Sequence, residues 1–363
     1  MCYIYSAMSV QFHSLKVREL RRETPDAVSI SFELPADKSA AFRFVQGQYL
    51  TLKTVLNGEE VRRSYSICTG VDENDLRVAV KKVDGGLFST WANEQLKEGD
   101  TLEVMTPQGS FFTELNPDSD KLYVAFAAGS GITPVMSILR TTLVQEPKSR
   151  FILFYGNRSF DYIIFREQLE ELKNLYPDRL SVHHVLSRES LGSDLFQGRI
   201  TGQKCERYAR VFFNPAETDA FFLCGPEEMV FEVKDTLIKL GANPKSVHFE
   251  LFTTSASHAK PVATSSAKEV FDASITVIQD GAEFDFNLMS DGSTLLDAAM
   301  RAGADLPYSC KGGVCSTCKA KILEGKVDMR VNYGLEPDEI EAGYVLTCQA
   351  HPVSTRVVVS FDA

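Results

Sequence analysis

Four cysteines fall within the last 54 residues, and their spacing is the first chemical signal in the chain. Cys310, Cys315 and Cys318 read C-x4-C-x2-C, and Cys348 follows after 29 residues; Cys2, Cys68, Cys205 and Cys224 are scattered. Clustered thiolates hold metals, whereas cysteines of a reducing compartment are not paired off as disulfides. The loop from Tyr308 to Cys318 offers three ligands in nine residues, and Gly312 and Gly313 permit the tight positive-φ turns that aim backbone N–H groups at sulfur. A cluster of two irons and two sulfides fits this pattern. Zinc and unrelated buried thiols are the competing readings. Structural zinc takes two compact pairs, and here only Cys315 and Cys318 make a C-x2-C pair.

Two further stretches could hold phosphate and an aromatic ring. Tyr123 to Ala128 is an apolar strand running into Gly129-Ser130-Gly131-Ile132-Thr133-Pro134, with Pro134 placed as a first helical residue. Backbone N–H groups of such a turn meet a pyrophosphate. A plain β-to-α turn is the alternative, because a third glycine is absent. Arg62-Arg63-Ser64-Tyr65-Ser66 follows a strand. Arg63 could neutralise a flavin phosphate, Tyr65 could stack on the isoalloxazine, and Ser66 could hydrogen-bond the flavin N5. A solvated arginine on a strand is the plainer reading. Gly85-Gly86-Leu87-Phe88-Ser89 offers small residues and a helix start for a second pyrophosphate. After the next strand, Gly156-Asn157-Arg158-Ser159 presents a cation and a hydroxyl where a bare ribose diol would want an acid. That favours NADPH over NADH, unless Arg158 is only a surface cation.

The length of 363 residues predicts two or three domains. The balance of 38 Lys plus Arg against 49 Asp plus Glu, net −11, argues against nucleic acid and anionic membrane as partners. No apolar stretch approaches the roughly 18 residues of a membrane span. Met1 to Val10 lack a basic start and apolar core, so a cytoplasmic location is expected. Residues 10–116 read as an antiparallel β-barrel, from strands at Val28 to Leu34, Gln48 to Val55, Leu76 to Val83 and Thr101 to Met105 with Gly and Asn turns between them. Residues 117–252 alternate apolar strands with helical periodicity, which implies an α/β domain on a parallel sheet. Its helices are expected from Pro134, around Phe165 to Leu175, and from Glu227; His183 and His184 read as strand residues without a catalytic role. Residues 253–269, rich in Ser, Thr, Ala and Lys, read as a flexible linker, and 270–363 as a third domain.

Leu306-Pro307-Tyr308-Ser309-Cys310, the three-cysteine loop and Val345-Leu346-Thr347-Cys348-Gln349 resemble a plant-type [2Fe–2S] ferredoxin, which implies a β-grasp-like domain. The order R-x-Y-S, G-G-x-x-S, G-S-G-I-T-P and Cys224-Gly225-Pro226 resembles the ferredoxin-NADP reductase superfamily over residues 10–252. Together they resemble its oxygenase-reductase branch.

That resemblance implies roles residue by residue. Arg63, Tyr65 and Ser66 would hold the flavin of FAD, and Gly86 with Ser89 its pyrophosphate. Gly129, Ser130, Gly131 and Thr133 would hold the nicotinamide dinucleotide, with Gly225 and Pro226 beside it. Cys224 is expected near the nicotinamide, with a small buried strand residue as the alternative. Glu250, in Val247-His248-Phe249-Glu250-Leu251-Phe252, is expected near the flavin, and Phe252 against its ring, where the family often has Tyr. The implied activity passes electrons from NADPH (NADH possible) through FAD and a [2Fe–2S] cluster held by Cys310, Cys315, Cys318 and Cys348. The implied partner is the oxygenase component of a multicomponent monooxygenase. Glu324, Asp328, Glu336, Asp338, Glu339 and Glu341 would steer docking or merely solubilise. A redox sensor that keeps its cofactors without turnover is the rival from another class.

Overall fold

The computed structural model describes residues 11–190, 192–252 and 270–363; the expected linker lies outside them, as does the N-terminal stretch weighed as a signal. Among the described residues the chain divides into a larger compact unit within 13–61 and 65–251, and a smaller one that holds 270–363 with 11–12, 62–64 and 252.

The larger unit begins with six antiparallel strands: β1 (Phe12–Thr24), β2 (Ala27–Glu33), β3 (Tyr49–Leu56), β4 (Glu59–Ser66), β5 (Leu76–Lys81) and β6 (Thr101–Met105), in the order β4-β3-β6-β1-β2-β5. Just past β4, Ile67 bridges Val78 and the Cys68 N–H donates to the Arg77 carbonyl at 2.9 Å, so the sheet closes on itself as a barrel. Leu15, Val17, Ile30, Phe32, Leu50, Leu52, Val78, Val80 and Val104 fill it, and Phe88 and Ala92 of α1 (Leu87–Glu94) pack against them. Two features differ from expectation. The R-x-Y-S stretch lies within β4 instead of after it, because an edge strand paired on one side tolerates a polar run. And β1, the longest strand, escaped the sequence pattern because register shifts at Val17/Glu19 and Arg22/Thr24 break its alternation.

Five parallel strands follow: β7 (Leu122–Ala128), β8 (Arg150–Asn157), β9 (Leu180–Leu186), β10 (Ala220–Cys224) and β11 (Val247–Glu250), ordered β11-β10-β7-β8-β9. Helices α2 (Ile132–Gln145), α3 (Arg166–Leu175), α4 (Gly202–Val211) and α5 (Glu227–Lys239) connect them. Burial by helices on both faces explains the near-continuous apolar runs, Tyr123 to Ala127 and Ala220 to Cys224. Helix α2 starts two residues before Pro134; the proline sits in the first turn, where the missing N–H would have had no partner anyway. Ala27, Cys68, Ala79 and Phe111 of the barrel share one apolar core with Ile138, Tyr123 and Phe222 of the parallel sheet, so these two layers are welded. Fully buried Glu146 ties down the end of α2. Its carboxylate accepts from Tyr123 Oη at 2.8 Å, Ser149 Oγ at 2.7 Å and the Asn116 N–H at 2.9 Å.

The smaller unit is a mixed five-stranded sheet with α6 (Leu295–Arg301) packed on it. Its strands are β12 (Asp272–Gln279), β13 (Ala282–Met289), β14 (Lys319–Glu324), β16 (Tyr344–Leu346) and β18 (Arg356–Ser360), in the order β13-β12-β18-β14-β16. Asp280 and Gly281, both at positive φ, make the tight β12–β13 hairpin. A two-stranded ribbon of β15 (Val327–Met329) and β17 (Ala350–Pro352), and a short helix α7 (Pro337–Glu341), complete it. The core is Ile275, Val277, Leu295, Leu296, Leu306, Val357 and Val359.

Candidate functional site

In the parallel sheet the chain runs outward from β7 to β9, then returns to β10 on the other side of β7. The crevice at the carboxyl ends of β7 and β10 is thus the topological switch point, where α/β sheets bind ligands. Gly129, Ser130 and Gly131 occupy it as a single 3-10 turn, with Gly129 at φ +54°. A Cβ on Gly131 would stand 2.1 Å from the Cys224 carbonyl oxygen, so only glycine lets this turn approach the end of β10. Buried Tyr155 donates its hydroxyl to the Gly129 carbonyl at 3.0 Å, and Thr133 donates Oγ1 to the Ser130 carbonyl at 3.0 Å. Thr133 therefore acts by fixing the turn. No side chain caps the start of α2; the Ile132 N–H donates to the Gly129 and Ser130 carbonyls and Pro134 has none, so an anion would be met by the positive end of the helix and the backbone of the turn before it. Across the crevice Gly225 is less crowded, a Cβ there standing 2.6 Å from the flexible end of Met229, and Pro226 sets the start of α5.

The register of β10 and β11 aligns Cys224 with Glu250, and Glu250 Oε2 accepts from Ser66 Oγ of β4 at 3.2 Å. Three residues spread over 184 positions thus meet at one point. Burial pushes the Glu250 carboxyl up to about 8 against the opposing pull of the Ser66 hydroxyl, so it is largely protonated at neutral pH. Burial and the adjacent Glu250 also push the fully buried Cys224 thiol up, which keeps it a neutral thiol. Hydroxyl, carboxylic acid and thiol together form a site that is uncharged while it holds a proton and would be left with one negative charge on delivering it.

Tyr65 packs on Phe88 at 5.4 Å between ring centroids, and the exposed Arg63 bonds the Arg62 carbonyl at 2.7 Å. Gly86 is the N-cap of α1; a Cβ there would stand 2.5 Å from Ser89 Oγ, and that hydroxyl accepts from the Val83 N–H at 3.1 Å. The tight loop leaves the first turn of α1 without a side-chain cap, a fit for a pyrophosphate. Phe252 follows β11 with its ring exposed.

At the carboxyl ends of β8 and β9, Arg158 and Ser159 are joined by a pair that sequence reasoning missed. The Ser187 N–H donates to the Asn157 carbonyl at 3.0 Å and the Arg188 N–H to the Arg158 carbonyl at 2.8 Å, setting the exposed Ser187-Arg188 beside the half-buried Arg158-Ser159. A serine and an arginine directly after β9, in the reverse of the order found after β8, were the available signal. Arg158 itself is not free: its Nη2 donates to Asp26 Oδ2 at 2.5 Å and its guanidinium lies 4.1 Å from the Tyr162 ring centroid. On β9, His183 is enclosed by Phe154, Phe196 and Phe212, and burial lowers it to about 4, so it is a neutral core residue.

In the smaller unit the four clustered thiols stand as two pairs. Cys310 and Cys315 Sγ are 3.1 Å apart, and Cys318 and Cys348 are hydrogen-bonded to each other. Among the described residues no three His, Cys, Asp or Glu side chains converge as one metal ion would require. Two pairs are what a two-iron cluster takes, two thiolates per iron. The Cys315 thiol, with the backbone N–H groups of Gly312, Cys315 and Val314, lowers Cys310 to about 6, and the Cys318 thiol, with the Gly313 N–H, lowers Cys348; their partners Cys315 and Cys318 are pushed up. One readily ionised sulfur in each pair, with amides pointing at it, fits the cluster. Positive φ falls on Lys311 and Gly313, so Gly312 does not take the left-handed role expected of it; Gly313 does, because a Cβ there would stand 2.7 Å from the Val331 carbonyl oxygen.

Comparison with known proteins agrees with this partition. Residues 14–112 match the oxidoreductase FAD-binding domain, 126–235 the oxidoreductase NAD-binding domain and 277–353 the 2Fe-2S iron-sulfur cluster binding domain. The chain is 47% identical to a component of the 1,2-phenylacetyl-CoA epoxidase of Escherichia coli (strain K12), over 97% of this chain and 98% of that protein. It is 36% identical to the 3-ketosteroid-9-alpha-monooxygenase ferredoxin reductase component of Rhodococcus rhodochrous, over 96% of each. The fold is that of phthalate dioxygenase reductase, with a TM-score of 0.58 at 23% identity, covering 96% of this chain and 98% of that one.

Proposed function

The chain belongs to the FAD- and [2Fe–2S]-dependent reductase components of multicomponent oxygenases, and from that premise we propose that its acceptor is an epoxidase component acting on phenylacetyl-CoA. The observation that carries the choice of acceptor is the 47% identity to the epoxidase component over nearly the whole of both chains. When bound, FAD supplies the exchange between a two-electron hydride donor and a one-electron cluster. The residues of this chain do the rest. Arg63, Tyr65, Gly86 and Ser89 would bind the flavin, and Ser66 with Glu250 would hold a proton at its reactive edge. The Gly129–Gly131 turn would seat the dinucleotide with Cys224 beside the nicotinamide. The thiols of Cys310, Cys315, Cys318 and Cys348 would hold the cluster.

Arg158, Ser159 and Arg188 support NADPH as the preferred donor, two cations and a hydroxyl at one strand edge being suited to a 2′-phosphate. Among the described residues no helix is long and apolar enough to cross a membrane, and we place the reductase in the cytoplasm with its acceptor. An anaerobic visible titration tests the reading. Flavin and iron–sulfur bands that bleach on adding NADPH, followed by oxygenase-dependent oxidation of phenylacetyl-CoA in reconstitution, support it. A flavin that no nicotinamide reduces would remove the catalytic role and leave a sensor.

A further inference from the structure

The two residues directly after β8, Arg158 and Ser159, are not acidic, and although Asp161 follows in the next turn, the acid that meets Arg158 comes from elsewhere in the chain. Asp26, from the β1–β2 turn, is 132 residues distant in sequence and meets Arg158 at 2.5 Å. Its other oxygen accepts from Thr24 Oγ1 at 2.9 Å, and Lys81 Nζ lies 3.9 Å from Oδ2. The same Lys81 ammonium would be 3.5 Å from a Cβ on Gly129, so the group borders the dinucleotide turn. Asp26 is one-fifth exposed and Arg158 about two-fifths, so the pair faces solvent at the mouth of the crevice.

We propose that Asp26 is a coenzyme-discriminating residue, setting from the flavin-binding barrel a carboxylate on the guanidinium that would meet a 2′-phosphate. This rests on the reductase reading given above. The chemistry is a competition for one guanidinium. Stacking on Tyr162 fixes the plane of Arg158, and the carboxylate occupies one of its donor edges. A 2′-phosphate that reaches for Arg158 must share or displace Asp26, and two anions at one cation repel. A ribose with a free 2′-hydroxyl meets no such opposition and can donate to the same carboxylate. Asp26 therefore holds down the NADPH preference that Arg158, Ser159 and Arg188 would otherwise give, and keeps NADH usable.

The test is the ratio of kcat/KM for NADPH to that for NADH, with ferricyanide as acceptor, in the holoprotein and in Asp26→Asn and Asp26→Glu. Asparagine keeps the acceptor for Thr24 and replaces the oxygen that faces Arg158 by an uncharged amide NH2, which removes the charge and the hold on the guanidinium together. Asp26→Asn is expected to raise the ratio at least about tenfold, about 1.4 kcal/mol, mainly through KM for NADPH. The affinity for adenosine 2′,5′-bisphosphate, read by calorimetry without turnover, should rise by a like factor against 5′-AMP, and Asp26→Glu should stay near the parent. A ratio within twofold of the parent, with unmoved bisphosphate affinity, would overturn the assignment while leaving the reductase reading intact. If neither nucleotide reduces the flavin of the parent protein, both fall together.

Discussion

Replacing Glu250 by Gln should flatten the pH dependence of the larger unit's stability on the alkaline side of neutrality. The carboxyl sits at about 8 in the folded chain against 4.5 when free, so between those values the folded state keeps a proton that the unfolded state has lost. Stability then falls as pH rises through this window. Three and a half pH units at about 1.36 kcal/mol each set a ceiling of about 5 kcal/mol, and the half-buried side chain brings the expected loss nearer about 2–3 kcal/mol. Buried His183, His184 and His248 work in the opposite sense, gaining stability as pH rises, because burial lowers all three below the usual 6.5. Their contribution is complete by about pH 7, and the buried Cys68, Cys205 and Cys224, whose thiols burial pushes up, add an alkaline loss common to parent and variant, so the difference between the two from pH 7 to 8.5 isolates the carboxyl. The assay is the midpoint of thermal flavin release, followed by flavin fluorescence in holoprotein and variant across that range. Only about one pH unit of the window lies above pH 7, so the discounted loss in that range is about 0.5–1 kcal/mol, and at about 2–4 °C per kcal/mol the parent midpoint should drop by about 1–3 °C more than that of Glu250→Gln. Parallel slopes would refute the placement of a neutral acid at this point.

Three further outcomes are expected. Gly131→Ala forces a Cβ against the Cys224 carbonyl and should cost at least about 1–3 kcal/mol in melting, with slower flavin reduction by NADPH in stopped flow. Tyr155→Phe removes the hydrogen bond to the Gly129 carbonyl; it should cost about 1 kcal/mol and raise KM for the nucleotide more than it lowers kcat. Cys318→Ala should abolish the paramagnetic signal of the reduced cluster while leaving nucleotide-to-ferricyanide turnover, a split that a loss of global folding would not produce.

The sequence made some of this legible and hid the rest for physical reasons. The four thiols could be read because ligands within nine residues are close whatever the fold, and the glycine turn because a local backbone shape demands it. Ser66, Cys224 and Glu250 come together only through strand register, and from residues alone only the family resemblance linked them. The pairing of Asp26 with Arg158 had no local trace, since neither residue needs the other to form its own turn. Charge arithmetic on the β8 loop could count the cation but not the acid that a different sheet would bring.

The position of β11 has a consequence for how the molecule is made. It is the final strand of the parallel sheet, paired on one side only with β10, and it carries Glu250 at its end. On a ribosome that releases residues in order, the barrel and four of the five parallel strands emerge before it, and domains fold as they emerge. The proton-holding point is therefore completed last. A nascent chain stopped short of residue 247 would retain most of both apolar cores and the glycine turn, but not the acid, so in this unit assembly precedes competence.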